Sequence, residues 1–155
     1  MYSRGKSAAS SRRTPSAIRR LALTRVTAPP AALSSPGARH ASPLVVVLAF
    51  VLLAAANMRS HLRRILRHPM LIGVGLWALV HLLANGHAKA TILFGAFLVY
   101  AALDLGSAVA RGAVKTFVPQ LKYDFMAIGG GIGLALLVMW MHRILFGVAP
   151  VPWSL

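Results

Sequence analysis

Four apolar runs follow one another between residues 43 and 146 and constrain the fold more than any other feature. They cover residues 43–58, 70–84, 90–110 and 125–146. A helix that crosses a bilayer needs about 20 mostly apolar residues. The first two runs reach this length only if flanking Arg and His side chains extend to the interface, and a re-entrant or buried helix is an alternative for the second. The pattern predicts an all-α membrane protein, a bundle of about four transmembrane helices.

The composition excludes an ordinary soluble enzyme. The 155 residues include 17 Lys and Arg but only 2 Asp and Glu, and charged residues make up 12% of the chain. Soluble domains contain about 25% charged residues, so this chain has too few to cover a soluble surface. It has no Cys, which excludes disulfides and thiolate chemistry. With so few carboxylates, a carboxylate-pair hydrolase is not supported either.

Residues 1–42 form a basic tail that differs from the membrane domain predicted for residues 43–155. Residues 1–40 hold eight of the basic residues, no acidic residue, and many Ser, Ala and Pro. We predict that the tail is disordered, because it cannot bury enough apolar area to offset its ordering entropy. It could contact anionic lipid, act as a targeting peptide or be a wrongly assigned start. Nucleic-acid binding is the weakest interpretation, because charge alone gives no specificity, and we expect no specific nucleic-acid partner.

Basic residues in the connectors predict the orientation of the helices. The connector between the first two runs and the one between the last two should lie on the same side, and together they carry Arg59, Arg63, Arg64, Arg67, Arg111, Lys115 and Lys122. The opposite side carries Lys89 and Arg143. Lys and Arg accumulate in cytoplasmic loops, so both connectors are predicted to be cytoplasmic. The basic tail would then be external, a conflict that favours a wrong start or missing upstream spans.

His side chains in or beside the apolar runs are candidate functional residues, because ionisable groups in a bilayer are costly. Gly73, Trp77 and His81 recur every four residues, and Asn85 continues this stripe, so we expect one protein-facing helix side. Neutral imidazole can ligate haem iron or a metal, or act as an acid or base. The alternative for His81 is a structural hydrogen bond to a backbone carbonyl.

The depth of each His restricts which pairs could share a ligand. His81 and His142 are predicted near the external side, so they form a sterically allowed pair. His68 lies about 20 Å from His81 along the helix and cannot join it on one haem within a monomer. We predict no zinc or di-iron site, because the chain lacks a His-x-x-x-His pair and an acidic cluster.

Asp104 is the acidic residue of the third run, predicted at the level of Arg67 and His68. We favour an ion pair or hydrogen bond that links the second and third spans. The alternative is a proton relay, which would make the protein a small transporter. Gly129 and Gly133 are predicted to form a helix-packing pair.

Several segments of the chain together carry a family resemblance: Leu44–Met58, His61–Arg64, Arg67–Gly73, Leu76–Gly86, Phe94–Gly95 leading to Asp104, Tyr123-Asp124 and Trp140–Val148. Through these segments, residues 38–150 resemble the NnrU family. The resemblance implies a multi-pass bacterial inner-membrane protein that is accessory to denitrification and nitric oxide metabolism, with no settled molecular mechanism. The implied partners are the lipid bilayer, denitrification components or a second copy of the chain.

The NnrU family is also similar to plant zeta-carotene isomerase, a membrane enzyme associated with haem b held by His. That relationship implies His68, His81 and His142 as candidate haem ligands. It leaves a haem-dependent isomerase or oxidoreductase acting on a hydrophobic substrate as an alternative, although we favour a protein without its own enzymatic activity. Family members usually begin with further hydrophobic spans, one bearing His, whereas residues 1–37 resemble nothing in the family. An upstream ligand is therefore expected to be missing.

Overall fold

The computed structural model describes residues 36–85 and 87–147, and all regular structure within these ranges is helical. The elements are α1 (Pro36–Ala55), α2 (His61–Leu66), α3 (Pro69–Ala84), α4 (Ala88–Ala110) and α5 (Leu121–Phe146). The all-α prediction is confirmed for these residues. Most of the predicted tail, and every interpretation of it, falls on residues 1–35, outside the described ranges.

The start of α1 corrects the predicted boundary of the tail. The helix begins at Pro36, whereas residues 1–42 were expected to be disordered. Residues 37–42 include two Ala and an Arg, which are good helix formers. The helix continues through Pro43, although this proline has no N–H to donate to the carbonyl of the preceding turn.

In the sequence, Pro69 marks a helix start and Asn85-Gly86 is a turn dipeptide, which predicts a helical hairpin of the second and third runs. This hairpin forms. Pro69 occupies the first turn of α3, where its missing N–H would have no intrahelical partner. α3 and α4 are connected by residues 85–87 and pack against each other. Asn85 ends α3 with an extended backbone, at φ −109° and ψ 119°. Its backbone N–H and its side-chain amide both donate to the His81 carbonyl, at 3.0 and 2.9 Å.

The helices form an open row rather than a closed bundle. α1 packs against both α3 and α5, and α3 packs against α4, which gives the order α5–α1–α3–α4. The two edge helices share no comparable interface within the described residues. The connector between α4 and α5 crosses one end of the row, where the Gln120 N–H donates to the Arg59 carbonyl at 2.9 Å. This hydrogen bond places both Arg-rich connectors at the same end.

Small residues occupy the seams between the helices. The fully buried positions include Ala49 and Ala55 on α1, Ala78 on α3 and Ala127 and Ala135 on α5. Large apolar side chains are instead exposed on the outer surfaces of α4 and α5. This is the reverse of a soluble core, and it suits helices that associate in lipid through close backbone contact.

Two of the helices are long and apolar enough to cross a membrane. These are α4 and α5, while α3 and residues 40–55 of α1 are apolar but shorter. Only 11% of the most apolar stretch of α4 and 17% of that of α5 is buried within the described part of the protein. A membrane location is therefore compatible with these exposed apolar surfaces of α4 and α5, which would be unfavourable in water.

Gly131 lies in close contact with α1. A Cβ atom at this position would lie 2.5 Å from Val51 Cα and 2.7 Å from Val51 N. At Gly129 and Gly133 a Cβ would meet no atom of the described residues within 4 Å. The prediction that these two glycines pack against another helix is therefore wrong for the described residues. A step of two residues turns the side-chain direction by about 200° around the helix axis, so both glycines point away from the side that Gly131 presents to α1.

Candidate functional site

His81 lies in an aromatic cluster between α3 and α4, which we call the His81 cradle: Trp77, His81, Phe94 and Phe97. The imidazole centroid is 5.0 Å from that of Trp77 and 4.8 Å from that of Phe94. Trp77 meets Phe94 and Phe97 edge to face, at centroid distances of 5.2 and 5.5 Å. These are favourable separations for aromatic contacts, so the cradle fixes the imidazole plane.

A hydrogen bond assigns the tautomer of neutral His81. Its Nδ1 lies 2.8 Å from the Trp77 carbonyl oxygen. A carbonyl only accepts hydrogen bonds, so Nδ1 carries the proton and Nε2 of the neutral ring keeps its lone pair. This is the structural bond anticipated as the alternative to ligation, but it also leaves the second nitrogen able to bind a metal ion or accept a proton.

His142 lies near the carboxyl end of α5, in the same region as His81. Its ring centroid is 4.7 Å from that of Phe146. Both α3 and α5 run away from the connector end of the row. α1 packs between the two helices that carry these residues. The two His side chains are therefore brought toward one end of the row, while their role as ligands stays a prediction.

The predicted stripe on α3 is divided between two neighbours. Gly73 is buried against α1, where a Cβ would lie 2.9 Å from the Ala49 carbonyl oxygen. Trp77 and His81 instead contact α4. Each step of four residues overshoots a full helical turn by about 40°, so the stripe drifts from one neighbour to the other.

His68 and Arg67 lie at the opposite end of α3 from His81. Arg67 has φ +60° and ψ −47°, and the His68 N–H donates to the Leu66 carbonyl at 2.6 Å. These features define a γ-turn of the rare, strained positive-φ type. The turn directs the chain from α2 into α3, which gives Arg67 a backbone role that the sequence pattern did not indicate.

Asp104 is half-buried on α4, and no ion pair or hydrogen bond of its side chain is seen among residues 36–85 and 87–147. The link that we expected between the second and third spans is therefore not made by this carboxylate. The proton-relay role of Asp104 stays a prediction.

Asp124 is the carboxylate that links separate elements, and sequence reasoning missed it as a site residue. Its Oδ2 lies 2.6 Å from His61 Nδ1, and its Oδ1 accepts a hydrogen bond of 3.2 Å from the Leu62 N–H. Asp124 is buried, whereas 50% of the His61 side chain is exposed. The contact joins the start of α2 to the first turn of α5. The chain has two acidic residues, and this scarcity was the signal in the sequence that could have identified Asp124.

Comparison with known proteins identifies the chain at family level. The family model described as NnrU protein matches residues 17–150, and it extends into the basic segment that was expected to resemble nothing in the family. No curated protein and no solved structure matches the chain. Because the family match covers most of the sequence, the chain belongs to the NnrU family.

Proposed function

We propose that this protein is a multi-pass inner-membrane accessory protein that supports bacterial denitrification and nitric oxide metabolism. The observation that carries the proposal is the family match over residues 17–150. The two long apolar helices and the small-residue seams support a membrane setting. An accessory role in this process gives the protein no reaction of its own.

The proposed topology has both Arg-rich connectors in the cytoplasm. The hydrogen bond between Gln120 and Arg59 supports a shared location at one end of the row. Lys89 and Arg143 lie near the other ends of α3, α4 and α5. This difference in basic residues favours the cytoplasm for the connector end.

Complementation in a denitrifying host tests the accessory role. The gene is deleted, the full chain is returned on a plasmid, and nitrite and nitric oxide reductase activities are measured during anaerobic growth. We expect deletion to lower these activities and the full chain to restore them. Unchanged activities after deletion, with the reductases present at normal levels, would contradict the proposal.

A haem-binding function is the second candidate, and the geometry of His81 favours it. Its Nδ1–H donates to the Trp77 carbonyl, so the lone pair of Nε2 can coordinate iron. The ring is held by aromatic contacts. The chemistry of this nitrogen therefore fits a haem ligand. His81 would hold the haem, with His142 as the candidate second ligand, and the iron would supply a redox-active centre. The cradle would exclude water and favour a hydrophobic substrate.

An absorption spectrum of the detergent-purified protein tests this candidate. Haem binding predicts a Soret band that is lost in His81→Ala and retained in His87→Ala. His87 is the matched control, because it is an exposed His just beyond the same hairpin. A Soret band that survives His81→Ala would remove His81 as a ligand. Colourless full-length protein purified from haem-replete cells would favour the accessory function alone.

A further inference from the structure

A cleft lies at the connector end of the row, away from the His81 cradle. It has a volume of about 480 Å³, within the range of about 300–1,000 Å³ found for small-molecule sites. It is lined by Arg59, Arg63, Lys115, Thr116, Phe117, Val118 and Gln120. The residues come from two parts of the chain, the region around α2 and the connector between α4 and α5.

The cleft has an excess of positive charge. Three of its lining residues are cations, and none is acidic. The chain has two carboxylate side chains, and neither lines the cleft. One of them, Asp124, is held by His61 and the Leu62 N–H. In the part of the chain that the structure describes, no carboxylate pairs with Arg59, Arg63 or Lys115.

Arg63 is held in place from two directions. Its Nη1 donates to the Met58 carbonyl at 3.4 Å, and its Cζ lies 5.3 Å from the centroid of the Phe117 ring. A guanidinium group has five N–H donors, so several stay available after the bond to Met58. A positioned guanidinium loses less conformational entropy when it binds an oxyanion.

The two walls of the cleft are fixed to each other. The Gln120 N–H donates to the Arg59 carbonyl at 2.9 Å. Because this bond joins the backbones of the two connectors, Arg59 and Lys115 face the same cleft without a conformational change. The side chains supply one guanidinium held by two contacts and two exposed cations beside it.

We propose that this cleft binds a phosphate group through Arg59, Arg63 and Lys115. Phosphate accepts several charge-assisted hydrogen bonds, and the guanidinium fork matches its oxygens. The group belongs either to an anionic phospholipid headgroup or to a free phosphate ion. Two exposed apolar side chains, Val118 in the cleft lining and Leu121 close to it in sequence, would adjoin the first acyl carbons of a lipid.

Native mass spectrometry of the full chain in detergent micelles tests the proposal. The probes are dioleoylphosphatidylglycerol, dioleoylglycerol, which has the same acyl chains and no phosphate, and inorganic phosphate. The cleft variant is Arg59→Gln with Lys115→Gln, which leaves Arg63 on Phe117. The matched control is Arg64→Gln with Arg111→Gln, which removes the same charge from exposed positions outside the cleft lining.

We expect the cleft variant to weaken binding of the phosphate-bearing probe by about tenfold or more and the control variant to change it little. Binding of the phospholipid alone assigns a lipid headgroup, and binding of inorganic phosphate with the same loss assigns a free ion. Equal weakening in both variants would overturn the proposal in favour of diffuse surface charge. Equal binding of dioleoylglycerol and the phospholipid would also overturn it.

Far-UV circular dichroism checks that the variants keep the helix content of the unsubstituted protein. If the double variant loses helix content, Lys115→Gln alone is compared with Lys122→Gln, a lysine of the same region that does not line the cleft. A selective loss of phosphate binding in Lys115→Gln supports the proposal, and equal binding by the two single variants overturns it.

Discussion

His61 Nδ1 lies 2.6 Å from Asp124 Oδ2, across 63 residues of sequence. The carboxylate also accepts the Leu62 N–H, so two successive residues of α2 hold the first turn of α5. A carboxylate in that turn is favourably placed at the positive end of the helix dipole. This contact is the link between the short helix α2 and the edge of the row.

Removing the Asp124 carboxylate should destabilise the folded protein. Asp124→Ala leaves the Leu62 N–H and His61 without their acceptor, so we expect the melting temperature in detergent to fall by about 2–6 °C. Asp104→Ala is the matched control, because no partner of that carboxylate is seen among the described residues, and it should change the melting temperature less. Equal effects of the two substitutions would show that the contact with His61 does not stabilise the fold.

Gly131→Ala should separate α5 from α1. The added Cβ would meet the backbone of Val51 at 2.5–2.7 Å, so the helices must move apart, at a cost of about 1–3 kcal/mol in the free energy of unfolding. Gly129→Ala and Gly133→Ala add the same methyl group in open space and should leave stability unchanged or raise it. Unfolding in mixed micelles measures the difference. A Gly131→Ala protein as stable as the two controls would contradict the close packing of α5 on α1 at this position.

Substitutions at Arg67 should reveal the strain of its turn. Its φ of +60° suits glycine better than residues with a Cβ. We expect Arg67→Gly to be more stable than Arg67→Ala by about 1 kcal/mol, although both remove the same charge. The reverse order in chemical unfolding would show that the positive φ is not strained.

The aromatic contacts of the His81 cradle should be energetically coupled. A double-mutant cycle of Trp77→Leu and Phe94→Leu should give an interaction free energy of about 0.5–1.5 kcal/mol, because the rings meet edge to face at 5.2 Å. The same cycle with Trp77→Leu and Phe146→Leu is the control, since the Phe146 ring contacts His142 instead. Additive effects in the first cycle would contradict the coupling.

The absence of Cys from the chain makes the proposed topology directly testable. Single cysteines are introduced by Ala113→Cys in the connector between α4 and α5 and by Ala88→Cys at the start of α4, both exposed positions. A membrane-impermeant maleimide applied to intact spheroplasts should label the Ala88→Cys protein and not the Ala113→Cys protein. Labelling of the Ala113→Cys protein alone would reverse the orientation.

The local signals in the sequence predicted the four apolar helices and the hairpin, but not the short helix α2. Apolar length placed α3, α4 and α5 to within a few residues, and Pro69 and Asn85 marked the two ends of α3 because their effects act within one helical turn. Residue 43 was the wrong start for α1, since good helix formers precede the apolar run. These features depend on neighbours in sequence.

Contacts between distant segments could not be predicted in the same way. Gly129, Gly131 and Gly133 are indistinguishable until the position of α1 is known, and only Gly131 meets Val51. The choice between Asp104 and Asp124 likewise depends on where His61 lies. The His81 stripe was identified, but its division between α1 and α4 required the packing order of the helices.

A row that is one helix deep has no sealed interior, and this determines how a molecule would reach His81. In the proposed membrane setting, the outer surfaces of α3 and α4 face the surrounding acyl chains, and Phe97 of the cradle is itself 40% exposed. A hydrophobic molecule dissolved in the bilayer would arrive by sideways diffusion and leave the same way, without a tunnel through the protein. Its concentration in the lipid, rather than in water, would then set the rate of encounter with the imidazole.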